Sequence, residues 1–139
     1  MAAGYLLDTN IISETRKARP DPRLTAFLET TESAGLFLSV LTVGELRKGV
    51  AARRRSDPAV ADSLAAWVDG IETNFADRVL PIDAAAARLW GELAAHRSLP
   101  VIDTLIAATA IVRGLILVTR NTRDVSATGA ALLDPWRTA

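Results

Sequence analysis

Four short segments of the chain are apolar throughout, and each is followed by a longer stretch with helical character. They do not alternate between apolar and polar residues, as strands with one face in solvent do. The segments are residues 5–7, 36–38, 79–82 and 115–118, with a weaker fifth at 132–136. Fully apolar strands that alternate with helices indicate a parallel sheet covered on both faces. We therefore expect an α/β protein, a single three-layer α/β/α domain over residues 1–139.

Capping residues mark where several helices should begin. Asp8, Ser39, Asp57 and Asp83 each precede a helical pattern, and Asp and Ser are among the preferred N-cap residues. Gly114 is expected to end an apolar helix. The expected helices start near residue 10 and cover about 23–31, 40–55, 58–75, 84–96 and 102–113. Residues 119–130 are expected to be loop-like.

The composition restricts the chemistry that the chain could perform. Sixteen basic and sixteen acidic residues give a formal net charge of zero, which argues against a strongly basic nucleic-acid coat protein. Cysteine is absent, which excludes disulfides, thiolate nucleophiles and cysteine-based metal sites. The only histidine, His96, is expected at the surface near a helix end. Any catalysis therefore rests on carboxylates.

No segment predicts export or membrane insertion. Residues 1–13 have no basic n-region and reach Asp8 after few apolar residues. The most apolar stretch, residues 99–118, contains Asp103 and Arg113, two charges that a membrane span rarely carries. We expect a cytoplasmic protein without a membrane segment, and the lack of cysteine fits a reducing compartment.

Acidic residues fall where a parallel sheet usually places a site, at the carboxyl ends of its strands. Asp8 ends the first strand, and Asp124 follows the fourth. Asp103 opens the helix that precedes the fourth strand, and Glu45 lies in the helix after the second. Their convergence would make a joint functional site, although no single spacing proves it.

Glu45 and Asp103 lie in apolar surroundings, so each carboxylate is expected to be partly buried. A buried carboxylate is costly and pairs with a cation, takes up a proton or binds a metal. The alternatives are structural: Asp8 and Asp103 as simple helix caps, and Glu45 as a surface acid. If the acids converge, oxygen ligands without histidine or cysteine favour Mg²⁺ or Mn²⁺. Such an ion activates water and offsets charge on phosphoryl oxygens, as phosphodiester hydrolysis requires.

Four motifs in order resemble PIN-domain ribonucleases, and more narrowly the VapC-type toxins of bacterial toxin–antitoxin pairs. They are LLDTNIIS, SVLTVGELRKG, PVIDTLIAATA and LVTRNTRD, and the resemblance runs from about residue 6 to residue 136. It implies a sheet in the order 3-2-1-4-5, divalent-metal-dependent RNA cleavage, homodimers and a VapB-type antitoxin partner. One departure is Val125, where many relatives carry an aromatic residue, and this should alter packing more than chemistry.

The resemblance also implies the roles of individual residues. The family's acidic quartet corresponds to Asp8, Glu45, Asp103 and Asp124. Asp8 and Asp103 are expected to bind the metal directly, and Glu45 and Asp124 to act through water. The family's polar helpers correspond to Thr9, Asn10, Thr119 and Asn121, of which Thr119 and Asn121 would hold the acids or the scissile phosphate by hydrogen bonds.

A dense basic run follows Glu45 on the same predicted helix. It consists of Arg47, Lys48, Arg53, Arg54 and Arg55. Arginine side chains suit phosphate groups, so this run is a candidate contact for the RNA backbone. The alternative is a solvated helix end whose cations favour the helix dipole.

Two other functions stay open on sequence grounds. One is a phosphatase of the haloacid-dehalogenase type, which also places an Asp after its first strand. That chemistry needs a second Asp two residues on, where this chain has Asn10. The other is a catalytically inert interaction module whose acids only cap helices.

Overall fold

Five parallel strands form one sheet in the order β3-β2-β1-β4-β5, as the sequence resemblance predicted. The structure is a computed structural model that describes residues 4–137, so both ends of the predicted domain, residues 1–3 and 138–139, lie outside the described residues. The strands are β1 (Tyr5–Leu7), β2 (Leu36–Ser39), β3 (Val79–Leu80), β4 (Ile116–Val118) and β5 (Leu132–Leu133).

Seven α-helices connect and flank these strands in the described part of the chain. They are α1 (Thr9–Thr15), α2 (Pro22–Thr30), α3 (Val40–Ser56), α4 (Pro58–Asn74), α5 (Ala84–Ala95), α6 (Val101–Arg113) and α7 (Thr122–Val125). Three single turns of 3₁₀-helix lie at Ser33–Gly35, Ser126–Thr128 and Pro135–Arg137. Within residues 4–137, no helix combines the length and the apolar character needed to cross a membrane.

Two neighbouring residues of β1 show that both faces of the sheet are buried. Leu7 belongs to a core cluster with residues of α1, α2, α3 and α4, whereas Leu6 packs with residues of α6, β4 and α7. Successive side chains of a strand point to opposite faces, so helices cover the sheet on each side. The predicted three layers and the fully apolar strands are therefore confirmed. The second cluster includes Val125, which is buried.

The predicted caps act through their side chains. Asp8 accepts a hydrogen bond from the backbone N–H of Thr9, and Ser39 accepts one from Leu41. Asp57 and Asp83 cap α4 and α5 in the same way. Since Asp8 and Ser39 also end β1 and β2, each cap fixes the point where the chain leaves the sheet and enters a helix.

The structure corrects one local prediction. Residues 119–130 were expected to be loop-like, but they contain α7 and a 3₁₀ turn. A helix of four residues is too short to produce a recognisable apolar period, and burial of Val125 and Thr128 holds it in place. The edge strand β3 is also shorter than predicted, since it ends before Pro81.

Candidate active site at the carboxyl ends of the strands

Asp8 lies at the carboxyl end of the central strand and is only 4% exposed. Its Oδ2 atom accepts a hydrogen bond of 2.7 Å from the Thr119 hydroxyl, and its Oδ1 atom accepts one of 2.8 Å from the backbone N–H of Thr9. Asn10 Nδ2 lies 3.3 Å from Asp8 Oδ2 and donates to Thr119 Oγ1 at 3.2 Å. The Asp8 carboxylate is therefore fixed by Thr119, which directly follows β4, and by the first two residues of α1.

The pKa of the Asp8 carboxyl is raised, and the main cause is burial. The hydrogen bonds from Thr119 and Thr9 favour the ionised form and lower this pKa, whereas the negative charge of Glu45 raises it. A carboxylate held in this way gains from a nearby positive charge, which would offset the cost of its burial.

Glu45 is linked to the start of α1 by Thr9. The Thr9 hydroxyl donates a 2.6 Å hydrogen bond to Glu45 Oε1 and lies 3.0 Å from the hydroxyl of Thr42. Because Thr9 has a single hydroxyl hydrogen, Thr42 is the donor of the second bond. Thr42 is fully buried and stands one helical turn before Glu45 on α3, so this chain of hydroxyls fixes the position of the Glu45 carboxylate.

Asp103 lies in the first turn of α6, half-buried beside the other acids. Burial is the main cause that raises the pKa of Asp103 to about 6. Three neighbouring carboxylates raise the same pKa further: Asp8, Glu45 and Asp124. The Asp103 carboxyl is therefore close enough to the other three predicted acids to feel their negative charges.

The donor set at these acids fits a hard divalent cation. It consists of carboxylate oxygens with threonine and asparagine side chains around them, which is the chemistry that Mg²⁺ and Mn²⁺ prefer. Within residues 4–137, no three acidic or histidine side chains stand close enough together to enclose an ion as placed. Mg²⁺ keeps several waters and takes only one or two carboxylates directly, so a complete cage of protein ligands is not required for it to bind.

One site expectation needs correction. Glu45 was expected to be partly buried, but its side chain is exposed, because only one flank of this turn of α3 packs on the core. Asn121 was expected to hold acids or the scissile phosphate by hydrogen bonds, and this stays a prediction. In the structure its backbone N–H donates to Thr119 Oγ1 at 3.0 Å, and its side chain is exposed. Asp124 is also exposed, on α7.

The basic run divides into paired and unpaired side chains. Arg47 forms ion pairs with Asp69 and Glu72 of α4, and Arg54 pairs with Asp62 at 2.9 Å. The described residues provide no ion pair for Lys48, Arg53 or Arg55, whose side chains are exposed. These three cations are therefore the part of the basic run that is free of ion pairs within the described residues, and contact of the run with RNA stays a prediction. His96, as predicted, is exposed directly after α5.

Sequence reasoning missed two residues of the site. Thr42 could have been found from its spacing, since it lies three residues before Glu45 and therefore on the same helix face. Arg120 lies between Thr119 and Asn121, and its guanidinium carbon stands 4.8 Å from the ring centroid of Trp136. No sequence pattern indicates that contact, because it depends on the 3₁₀ turn after β5.

Comparison with known proteins gives one family. The PIN domain model matches residues 5–129. A VapC ribonuclease, Y4jK of Sinorhizobium fredii, is 34% identical over 96% of this chain and 99% of its own length. Toxin FitB of Neisseria gonorrhoeae is 33% identical over 94% of this chain and 97% of its own. The crystal structure of FitAcB from Neisseria gonorrhoeae superposes with a TM-score of 0.88 at 32% identity, over 96% of this chain and 99% of that one.

Proposed function

This chain belongs to the PIN-domain family, and on that basis we propose that it is a divalent-metal-dependent endoribonuclease acting as the toxin of a VapBC-type toxin–antitoxin pair. The observation that supports the proposal is the environment of Asp103, a half-buried carboxyl whose pKa is raised by burial and by the charges of Asp8, Glu45 and Asp124. A carboxyl with a strongly raised pKa beside other acids is typical of a functional site. Membership of the PIN family also removes the haloacid-dehalogenase alternative.

The residues of the proposed site would have different roles in catalysis. Asp8 and Asp103 would hold Mg²⁺ or Mn²⁺, with Glu45 and Asp124 facing the same space. When bound, the ion supplies positive charge that stabilises the phosphoryl oxygens and makes water a better nucleophile. Thr119 would keep the Asp8 carboxylate oriented, as a hydrogen-bonded neighbour does for many metal ligands.

Glu45 is suited to take the proton of an attacking water. Its Oε1 atom accepts the hydrogen bond from Thr9, whereas its Oε2 atom accepts none from the described residues. The side chain is exposed, so water reaches it. A carboxylate that is held at one oxygen and open at the other is a suitable general base.

The proposed partners are RNA, a VapB-type antitoxin and a second copy of the chain. The antitoxin is supported by the likeness to a protein named toxin FitB and to a VapC ribonuclease. The homodimer and the cytoplasmic location stay predictions.

Cleavage of RNA by the purified protein tests the proposal. We expect Mg²⁺ or Mn²⁺ to support endonucleolytic cuts in single-stranded or loop RNA, and EDTA to stop them. Asp8→Asn should remove the activity and leave the circular dichroism spectrum unchanged, because asparagine is nearly isosteric but a poorer ligand. Asp77→Asn, at an exposed position after α4, is the matched control. Full activity of Asp8→Asn, or of the wild type in EDTA, would overturn the proposal.

A further inference from the structure

An open groove of about 340 Å³ lies beside Glu45, between α1, α3 and α4. Its walls are mainly apolar, with Leu46 on α3 and both Leu64 and Trp67 on α4. Arg16 and Lys17, which follow α1, contribute cationic side chains to its lining. An apolar groove that remains open to solvent in a folded domain indicates a surface for a ligand.

The groove is continuous with the candidate active site. Thr9 and Glu45 line it, and the same two residues share the 2.6 Å hydrogen bond at the acids. A molecule held at the carboxylates therefore has its neighbouring group at the mouth of the groove. For a polynucleotide held by its scissile phosphate, that neighbouring group is an adjacent nucleotide.

The chemistry of the groove matches a flat aromatic group attached to a phosphate. The Arg16 guanidinium carbon lies 5.4 Å from the ring centroid of Trp67, and Arg16 also donates to the Ser63 hydroxyl at 3.2 Å. Lys17 pairs with Glu14 at 2.8 Å, but its side chain remains 62% exposed. Aromatic and guanidinium planes stack with nucleobases of any sequence, and exposed cations attract the backbone.

We propose that this groove binds the unpaired base of a nucleotide adjacent to the scissile phosphate. The inference rests on the proposed ribonuclease function and names the part of the substrate that the site holds. A base must leave its partner strand to enter, so the groove selects single-stranded RNA. A peptide segment of an antitoxin is the competing occupant, and the experiment below separates the two.

Gly49 offers a way to fill the groove without disturbing the core. It lines the groove from α3, and a Cβ atom built on it meets no other atom within 4 Å. Gly49→Leu would therefore project into the open space. Gly91→Leu is the matched control, because Gly91 is also helical with open space around its Cβ position but lies on α5, outside the groove.

Binding of short RNA with non-hydrolysable linkages, measured in the presence of Mn²⁺, tests the effect without cleavage. The probes are a five-nucleotide single-stranded RNA and five versions of it that each lack one base. We expect Gly49→Leu to raise the dissociation constant for the intact RNA roughly tenfold, the usual scale of one stacked base. Gly91→Leu should bind as the wild type does. One abasic probe should bind the wild type weakly and lose no further affinity with Gly49→Leu, because the missing base and the filled groove remove the same contact.

The possible outcomes separate this inference from the proposed function. If Gly49→Leu binds and cleaves the intact RNA as the wild type does, the inference is wrong even though the chain is a ribonuclease. The same holds if Gly49→Leu only weakens binding of the cognate antitoxin, since the groove then belongs to the protein partner. If the wild type binds RNA in a groove-dependent way but cleaves none, the base site stands and the proposed catalysis fails.

Discussion

The Thr119 hydroxyl donates a 2.7 Å hydrogen bond to Asp8 Oδ2, and 111 residues of sequence separate the two. Both residues are buried, and they directly follow two neighbouring parallel strands, β4 and β1. Thr119 Oγ1 also accepts hydrogen bonds from the Asn10 side chain and from the backbone N–H of Asn121. One hydroxyl thus connects Asp8 and the start of α1 to the segment that follows β4.

Replacement of Thr119 by valine should lower the rate of RNA cleavage strongly and the free energy of unfolding only slightly. Valine has the same shape but removes the shorter of the two hydrogen bonds to Asp8 Oδ2, and loss of such a supporting bond costs about 10- to 100-fold in activity or metal affinity. Thr119→Ser keeps the hydroxyl and should retain most of the rate. The measurement is kcat and the metal concentration for half-maximal activity.

Thr109→Val is the control for that experiment. Thr109 is also a buried threonine, but its hydroxyl donates to the Leu105 carbonyl within α6. Equal losses of activity in Thr109→Val and Thr119→Val would show that general destabilisation explains the effect.

Removal of metal should make the stability of the protein depend on pH. The pKa of Asp103 is about 6 in the folded chain, above its ordinary value of 3.8, and the pKa of Asp8 is also raised. The folded state therefore binds more protons than the unfolded state between these values, so the free energy of unfolding in EDTA should fall as pH rises from about 4 to about 6. Urea unfolding at a series of pH values checks the sign.

Asp103→Asn should flatten this pH dependence and raise the melting temperature in EDTA at neutral pH, because it removes one charge from the cluster. Excess Mn²⁺ should stabilise the wild type by about 2.7 kcal/mol when it is a hundredfold above its dissociation constant, and the variant by less. If Asp103→Asn melts lower than the wild type in EDTA and the wild type gains nothing from Mn²⁺, Asp103 has only a structural role at the N-terminus of α6. Asp77→Asn should match the wild type throughout.

The arginines of the basic run on α3 should fall into two groups, one that contacts RNA and one that stabilises the fold. Arg53→Gln combined with Arg55→Gln should reduce the salt dependence of RNA binding by about 0.7 per cation in the slope of log K against log salt. Arg47→Gln should leave that slope unchanged and lower the free energy of unfolding by roughly 0.5–1 kcal/mol, because Arg47 pairs with acids of α4. An unchanged slope in the double variant would mean that these arginines are a solvated helix end.

Expression of the chain alone should arrest bacterial growth, and coexpression of the small cognate antitoxin should restore it. Asp8→Asn should be harmless at the same protein level, which links the arrest to cleavage. Normal growth of cells that contain active nuclease would contradict the toxin function while leaving the enzyme intact.

Local chemistry made much of this fold predictable. Asp8 and Ser39 are strong caps directly after apolar strands, so both the strand ends and the helix starts could be placed from the sequence. The strand order came from the family resemblance, because no short-range pattern states which strands pair. Convergence of Asp8 and Asp103 followed once the parallel sheet was assumed.

Contacts between elements that are distant in the chain could not be predicted from the sequence. Glu45 was expected to be partly buried from its apolar neighbours, but burial depends on which flank of α3 faces the core. The division of the basic run was equally hidden, since it depends on Arg47 meeting Asp69 and Glu72 across the α3–α4 contact. Helix-to-helix pairing of charges is set by packing, which a single sequence does not show.

The placement of β1 between β2 and β4 has a consequence for the newly made protein. A nascent chain that has emerged from the ribosome only through α5 carries Asp8 and Glu45 but lacks Asp103, Thr119 and Asp124. Non-local strand pairing of this kind is slow to form and must wait for the later segment. The candidate site therefore forms in one late step, once the ribosome has made the segment that carries Asp103, Thr119 and Asp124.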